Sequence, residues 1–96
     1  MVTPVLFRAE RSGVFKGDIT AVFPTLPGNP GNMTCYAHVG QHSSCSMEWY
    51  NTTRPARIGE CADLIAELQS IGYDDLKIYS RITRAMRDER NKAERN

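Results

Sequence analysis

Apolar and polar side chains alternate over much of the first forty residues, which is the period of half-buried β-strands. Ile19, Ala21 and Phe23, for example, are separated by Thr20 and Val22. This pattern predicts strands over residues 4–10, 18–23 and 33–39. The run PTLPGNPGN, residues 24–32, predicts a long loop, because its three prolines lack the backbone donor that a strand or helix needs. Residues 40–54 show no period and fit either a loop or a short irregular helix.

The spacing changes to that of a helix in the second half of the chain. Apolar residues recur there at intervals of three and four and predict one apolar helical face: Ile58, Cys61, Ala62, Ile65, Leu68 and Ile71. Gly72 is placed to end this helix, because glycine adopts the left-handed conformation at little cost. A strand over residues 75–81, with Leu76 and Ile78 facing inward, and a final helix from about residue 82 complete the chain.

The order of elements predicts an α+β fold, in which a small, mainly antiparallel sheet (order β-β-β-α-β-α) has one face covered by the amphipathic helix. Its 96 residues, 41% hydrophobic and 24% charged, are enough for one core. We therefore expect a single α+β domain over residues 1–83. Residues 84–96 would be a basic helical tail that frays at its end. A domain this small has a narrow stability margin, so self-association into a homo-oligomer could contribute to its folding.

The sequence lacks the features of a secreted or membrane protein. Residues 1–7 are too short for a signal peptide and are followed at once by charges, and no apolar run is long enough to cross a bilayer. We expect a cytoplasmic protein with no membrane partner, whose three cysteines stay reduced.

The stretch CYAHVGQHSSC, residues 35–45, could be a zinc site. Cys35, His38, His42 and Cys45 are ligands of the types that zinc prefers. Strand alternation places Cys35 and His38 on opposite faces, however, and structural zinc sites usually come from two separated ligand pairs. Metal binding by these four residues is therefore the minority hypothesis, and we expect no cofactor.

The same stretch could also hold catalytic residues. His38 or His42 would be the base, and Ser43, Ser44 or Cys45 the nucleophile. No nucleophile elbow, phosphate-binding loop or carboxylate pair accompanies them. We expect a non-enzymatic protein without catalytic residues.

Binding of a ligand or partner suits this region better. Residues 36–53 concentrate aromatic, imidazole, hydroxyl and amide groups, a mixture that suits adaptable hydrogen bonding around rigid anchors. The predicted binding site is His38, Gln41, His42, Ser43, Ser44, Trp49 and Tyr50.

Nucleic-acid binding by the C-terminal region is the alternative. Half of the twelve basic residues fall within residues 81–96, and this segment has a net charge of +3, whereas residues 1–80 carry −2. The residues that would contact phosphates are Arg84, Arg87, Lys92 and Arg95. Asp88 and Glu94 lie at helical spacing from basic residues, so a solvated helix face explains the same pattern.

Five segments together resemble a family of short uncharacterised proteins encoded in phage, plasmid and other mobile-element genomes: LFRAERSG, DITAVFPTLPG, YAHVGQHSS, TRPA and ADLIAELQSIGYDDLKI. The resemblance extends to about Tyr79. It implies a protein that acts in the host cytoplasm on a host protein or small ligand, and inhibition of a host defence system follows by analogy. The chain departs from the family pattern at Arg57 and Ile58, where members often have a threonine-proline pair, and at Cys45, which many members lack.

Overall fold

The structure is a computed structural model that describes residues 2–37 and 42–95. Within these ranges it contains six strands, namely β1 (Thr3–Glu10), β2 (Ile19–Pro27), β3 (Met33–Tyr36), β4 (His42–Cys45), β5 (Thr53–Pro55) and β6 (Leu76–Ile78). Its helices are α1 (Met47–Asn51), α2 (Ala62–Ser70) and α3 (Arg84–Arg95), with a one-turn 3-10 helix, Ile58–Glu60, before α2. The predicted α+β fold with a mainly antiparallel sheet is confirmed. In the described part of the chain, no helix is long and apolar enough to span a bilayer.

The strands form one sheet in which β1 uses both of its edges. The order β4-β3-β2-β1 is antiparallel throughout. The outer edge of β1 is shared: β5 runs antiparallel to its second half, where Arg8 faces Pro55, and β6 runs parallel to its first half, where Val5 faces Ile78. The middle of this edge, around Leu6 and Phe7, therefore lies at the gap between β5 and β6.

Apolar residues are buried on both faces of the sheet, one of which the amphipathic helix α2 covers as predicted. On one face, Phe7 and Phe23 pack against Leu64 and Leu68 of α2. On the other face, a second cluster consists of Leu6, Val22, Met33, Cys35, Cys45 and Tyr50, with Met47 and Trp49 of α1 packed against it. Successive residues of a strand point to opposite faces, so β1 contributes to both clusters.

Helix α2 is shorter than predicted, and its buried face is different. It begins at Ala62, and Ile58 lies on the preceding 3-10 helix with 90% of its surface exposed. The helical period therefore does not extend to Ile58. Leu64, absent from the predicted face, is fully buried instead. Gly72 follows the helix with φ +116°, as its predicted role in ending the helix requires.

Three other predictions of secondary structure were wrong. Strand β2 continues to Pro27, because its register with β3 shifts between Phe23 and Pro27 and such irregularities tolerate proline. Strands β4 and β5 were not predicted, since four or three residues are too few to show a period. Ile78 was expected to face inward but is 57% exposed, because β6 lies at the edge of the sheet.

Helix α3 packs against β2 and continues to Arg95. Met86 and Arg90, four residues apart, are its buried residues. The Glu94 carboxylate accepts a hydrogen bond from the Gly31 amide at 2.7 Å, which connects the end of α3 to the turn between β2 and β3.

Gly28 lies in that turn, so close to neighbouring atoms that a larger residue would not fit. A Cβ atom there would lie 2.5 Å from Ser44 Oγ and 2.6 Å from the Met33 carbonyl oxygen. We expect Gly28→Ala to lower the free energy of unfolding by about 1–3 kcal/mol, the usual cost of overpacking. Gly59→Ala is the matched control, since a Cβ atom at Gly59 would have no neighbour within 4 Å and the φ of this residue is not positive. Urea denaturation of both variants tests this; equal stabilities would contradict it.

Candidate functional site

The predicted binding residues divide between the two faces of the sheet. His38 and Gln41 lie outside the described residues. Of the other five, three lie on β4 and two on α1: His42, Ser43, Ser44, Trp49 and Tyr50. They do not converge on one surface.

His42 lies on the face that α2 covers. Its Nε2 atom is 2.6 Å from the hydroxyl oxygen of Tyr73, which follows α2. The imidazole also packs against Tyr36, with ring centroids 5.2 Å apart, and Tyr73 stacks on Phe23 at 5.0 Å. His42 is therefore part of an aromatic group that joins the β4 edge to the end of α2.

Ser43, Ser44 and Trp49 do come together, in an open depression of about 450 Å³ that we call the serine cleft. Its lining is Glu10, Thr20, Asn32, Cys35, Ala37, Ser43, Ser44, Cys45, Ser46 and Trp49. The Ser43 hydroxyl is 3.1 Å from the Cys35 sulfur, and the Ser44 hydroxyl accepts a hydrogen bond from the Asn29 amide at 2.9 Å. The cleft is thus polar at its walls, with two thiols beneath.

Helix α1 orients Trp49 and Tyr50 differently. Ser46 caps the helix by accepting a hydrogen bond from the Trp49 amide at 3.1 Å. The Trp49 indole N–H donates to the Glu10 carboxylate at 2.8 Å, at the border of the serine cleft. Tyr50 is buried, and its ring lies 4.2 Å from the guanidinium carbon of Arg8. Tyr50 is therefore a core residue and is not available to a ligand.

The hypothetical zinc site does not form from the residues that the structure describes. His42 faces α2, whereas Cys35 and Cys45 belong to the cluster on the opposite face. Residues 2–37 and 42–95 contain no group of three His, Cys, Asp or Glu side chains that could hold a metal ion. Strand alternation separates the imidazole from the two thiols.

Cys35 and Cys45, in contrast, lie together beneath the serine cleft. A hydrogen bond with Cys45 lowers the pKa of the Cys35 thiol to about 6, with a smaller contribution in the same direction from the Ser43 hydroxyl. The same contact raises the pKa of Cys45 far above its usual value. Cys35 is therefore the more acidic thiol of the two. Sequence reasoning missed this pair because only the register of β3 and β4 brings the two residues together.

A second depression, at the outer edge of β1, was also not predicted. This edge cavity has a volume of about 330 Å³ and opens between β5 and β6. It is lined by Leu6, Phe7, Arg8, Pro55, Ala56, Ile58, Cys61, Ile65, Ile78, Tyr79 and Ser80. Its volume is in the range of ligand-binding pockets. Most of these side chains are apolar, in contrast to the polar walls of the serine cleft.

Two exposed isoleucines stand at the edge cavity. Ile58 is 90% exposed and Ile78 is 57% exposed, although both line the cavity. The 3-10 helix that carries Ile58 is fixed by Glu60, whose carboxylate accepts two hydrogen bonds from the Arg54 guanidinium, at 2.8 and 2.9 Å, and one from the Arg57 amide at 2.7 Å. The bidentate Arg54–Glu60 ion pair therefore fixes the turn from which the exposed side chain of Ile58 projects.

Arg8 supports the cavity from the side of β1. Its guanidinium donates to the side-chain and backbone oxygens of Thr53, both at 2.8 Å, and burial lowers its pKa. Thr53 in turn donates to the Tyr50 carbonyl oxygen at 2.6 Å. These contacts attach β5 and the end of α1 to β1, so the wall of the cavity is built on buried hydrogen bonds.

No protein-family model, curated protein or solved structure matches this chain. The family resemblance noted from the sequence therefore receives no independent support, and the candidate sites depend on geometry alone.

The Arg54–Glu60 pair predicts a pH dependence of stability. Hydrogen bonds from Arg54 and Arg57 lower the pKa of Glu60 from its ordinary 4.5 to about 2. Because the pKa is depressed in the folded state, the pair stabilises fully above pH 4.5 and its contribution is lost as the pH falls toward 2. The difference in unfolding free energy between wild type and Glu60→Gln should therefore be constant near neutral pH and vanish at about pH 2. Urea denaturation at a series of pH values measures this.

Arg54→Gln is the matched variant and should give a smaller pH-dependent difference of the same sign, since the Arg57 amide still donates to Glu60 in that variant. A difference between wild type and Glu60→Gln that persists unchanged to about pH 2 would contradict the prediction. The contribution is modest because the pair is solvent-accessible.

Proposed function

We propose that this chain is a small non-enzymatic binding protein that engages a host protein through its edge cavity and the two isoleucines beside it. The observation that carries the proposal is the position of Ile58 and Ile78, both exposed and both at the same apolar cavity. Clustered exposed apolar side chains next to a concave surface are typical of interaction sites, whereas scattered ones are ordinary.

A protein partner explains these side chains better than a small ligand does. A ligand inside the cavity would leave the outer surface of Ile58 in water, since 90% of that residue is exposed. A protein surface would cover both isoleucines while one of its own side chains filled the cavity. Burying one such side chain contributes about 1.5–3 kcal/mol. The pair could therefore supply a substantial part of a binding free energy.

The rigidity of the site supports the same proposal. Ile58 is carried by a turn that three hydrogen bonds to Glu60 hold in place, and β5 is joined to β1 through Arg8 and Thr53. A preformed site loses little conformational entropy when its partner binds. The resemblance to mobile-element proteins makes a bacterial host protein the expected partner, and inhibition of a defence system is the specific role proposed by analogy.

Aspartate substitution tests the site. Ile58→Asp should weaken binding of the partner by about tenfold or more, because a lost buried isoleucine exceeds the roughly 1.4 kcal/mol that a tenfold change represents. Val14→Asp is the control: Val14 is 93% exposed, in the turn between β1 and β2, and does not line the cavity. Proteins retained from a bacterial lysate by immobilised wild type, Ile58→Asp and Val14→Asp are identified by mass spectrometry. The candidate is then purified and its affinity for each variant measured by calorimetry.

The proposal requires a partner that binds wild type and Val14→Asp equally and Ile58→Asp weakly. A purified partner that binds all three with the same affinity would overturn it, as would the absence of any saturable partner. Circular dichroism of the three proteins checks that the fold is intact. Ile78→Asp, on the other side of the cavity, should reproduce the effect of Ile58→Asp.

Nucleic-acid binding by α3 is the second candidate function. Arg84, Arg87, Lys92 and Arg95 are all exposed, whereas Arg90 is turned toward the sheet. The Glu94 carboxylate accepts a hydrogen bond from the Gly31 amide, so part of its hydrogen-bonding capacity is used within the chain. The outer surface of α3 is therefore enriched in positive charge, as phosphate binding requires.

A salt titration tests this candidate. If the arginines bind phosphates, the affinity for a DNA duplex should fall with rising salt, and replacing both Arg84 and Arg87 by Gln should reduce the slope of log K against log salt by about 2. Arg57→Gln is the control, because Arg57 is an exposed arginine distant from α3 in the sequence. Fluorescence anisotropy provides the measurement. Equal slopes for all three proteins would exclude phosphate contacts by these arginines.

A further inference from the structure

Three sulfur atoms are brought to one face of the sheet by the pairing of β3 with β4. Met33 lies directly opposite Cys45, and Cys35 lies two residues along β3 from Met33. All three belong to the same buried cluster, on the face opposite α2. Strand alternation therefore places two thiols and one thioether next to one another in the interior.

The two thiols are neighbours but are poorly placed for a disulfide. Cys35 faces Ser43 across the strands, so Cys35 and Cys45 are diagonal neighbours in the same buried cluster. Diagonal Cα atoms in an antiparallel pair are about 7–8 Å apart. Disulfides usually need about 4.4–6.8 Å. An ion between the sulfurs suits this separation better than a direct bond.

A buried positive charge beside the thiols has no carboxylate partner among the described residues. Arg90 is 6% exposed, its Nη1 donates only a long hydrogen bond of 3.4 Å to the Pro24 carbonyl oxygen, and its Nε is buried without a partner. The guanidinium is near enough to Cys45 for its charge to act on that thiol. A buried unpaired cation is costly, so a negative charge in this cluster would be stabilised.

We propose that Met33, Cys35 and Cys45 form a binding site for a soft monovalent d¹⁰ cation, of which Cu(I) is the biological example. Thiolates and thioethers are the ligands that select such ions. Two thiolates and one Cu(I) carry a net charge of −1, which the guanidinium of Arg90 neutralises. Any proton that either thiol still carries is released to solvent when the ion binds. Zn²⁺ is disfavoured, because its usual protein ligands are thiolates, imidazoles and carboxylates, whereas the third donor of this site is the thioether of Met33.

The serine cleft provides the route by which the ion reaches the site. Cys35 and Cys45 both line this open depression, while Met33 is fully buried behind them. The ion would therefore meet the two thiols first and acquire the thioether as a third ligand. Trp49 lines the same cleft, so its fluorescence reports on occupancy.

The affinity for Cu(I) is measured by competition with a chromogenic Cu(I) chelator under anaerobic conditions, and the stoichiometry by native mass spectrometry. We expect one Cu(I) per chain. Cys35→Ser and Cys45→Ser should each weaken binding by more than the roughly 10–100-fold that loss of an outer-shell partner costs. Met33→Leu, which preserves volume, should weaken it by about 10-fold.

Cys61→Ser is the matched control, because Cys61 is also a buried free thiol but belongs to the cluster under α2. It should bind Cu(I) as wild type does. The inference fails if wild type does not compete with the chelator, or if Cys61→Ser loses as much affinity as Cys35→Ser. Thermal denaturation of each variant without metal separates lost ligands from lost fold, and Ag(I) titration followed by Trp49 fluorescence should give the same ranking of variants.

Discussion

The outer edge of β1 carries two different partners, and the rest of the molecule depends on this division. Antiparallel pairing with β5 fixes residues 53–55, and parallel pairing with β6 fixes residues 76–78. Residues 56–75, which include the 3-10 helix and α2, must therefore connect one half of this edge to the other. Leu64 and Leu68 of α2 pack under the sheet, in the cluster that contains Phe7 and Phe23. A gap remains where neither short strand reaches, and that gap is the edge cavity.

Buried charge is the second constraint on this small domain. Arg8 and Arg90 are both buried, and neither has an ion-pair partner among the described residues. Arg8 is compensated by the oxygens of Thr53 and by the ring of Tyr50. Arg90 has a single long hydrogen bond and an unpartnered Nε. Arg8 therefore has a structural role, whereas the charge of Arg90 lacks such compensation.

The two depressions suit different chemistry. The edge cavity is apolar and bordered by exposed isoleucines, which favours a protein surface. The serine cleft has hydroxyl groups and an indole at its walls and thiols at its base, which favours a small polar or soft ligand. The serine cleft and the edge cavity have no described lining residue in common. Binding at one would leave the other accessible.

Local pattern in the sequence determined the class of fold and the elements with a clear period. The alternation in β1 and β2, the shared face of Cys61, Ile65 and Leu68, and the glycine that ends α2 all correspond to the structure. Of the predicted binding residues, Ser43, Ser44 and Trp49 share a cleft, whereas Tyr50 is a core residue and His42 packs with aromatic side chains near α2.

Tertiary structure alone decided which residues meet. Strands of three or four residues, such as β4 and β5, are too short to have a recognisable period, and they form because a neighbouring edge supplies hydrogen-bond partners. The edge cavity and the sulfur cluster both depend on these strands. The register of β3 with β4 brings Cys35 to Cys45 and separates both from His42. The order of these residues along the chain is known from the sequence, but only strand pairing fixes which of them share a face of the sheet.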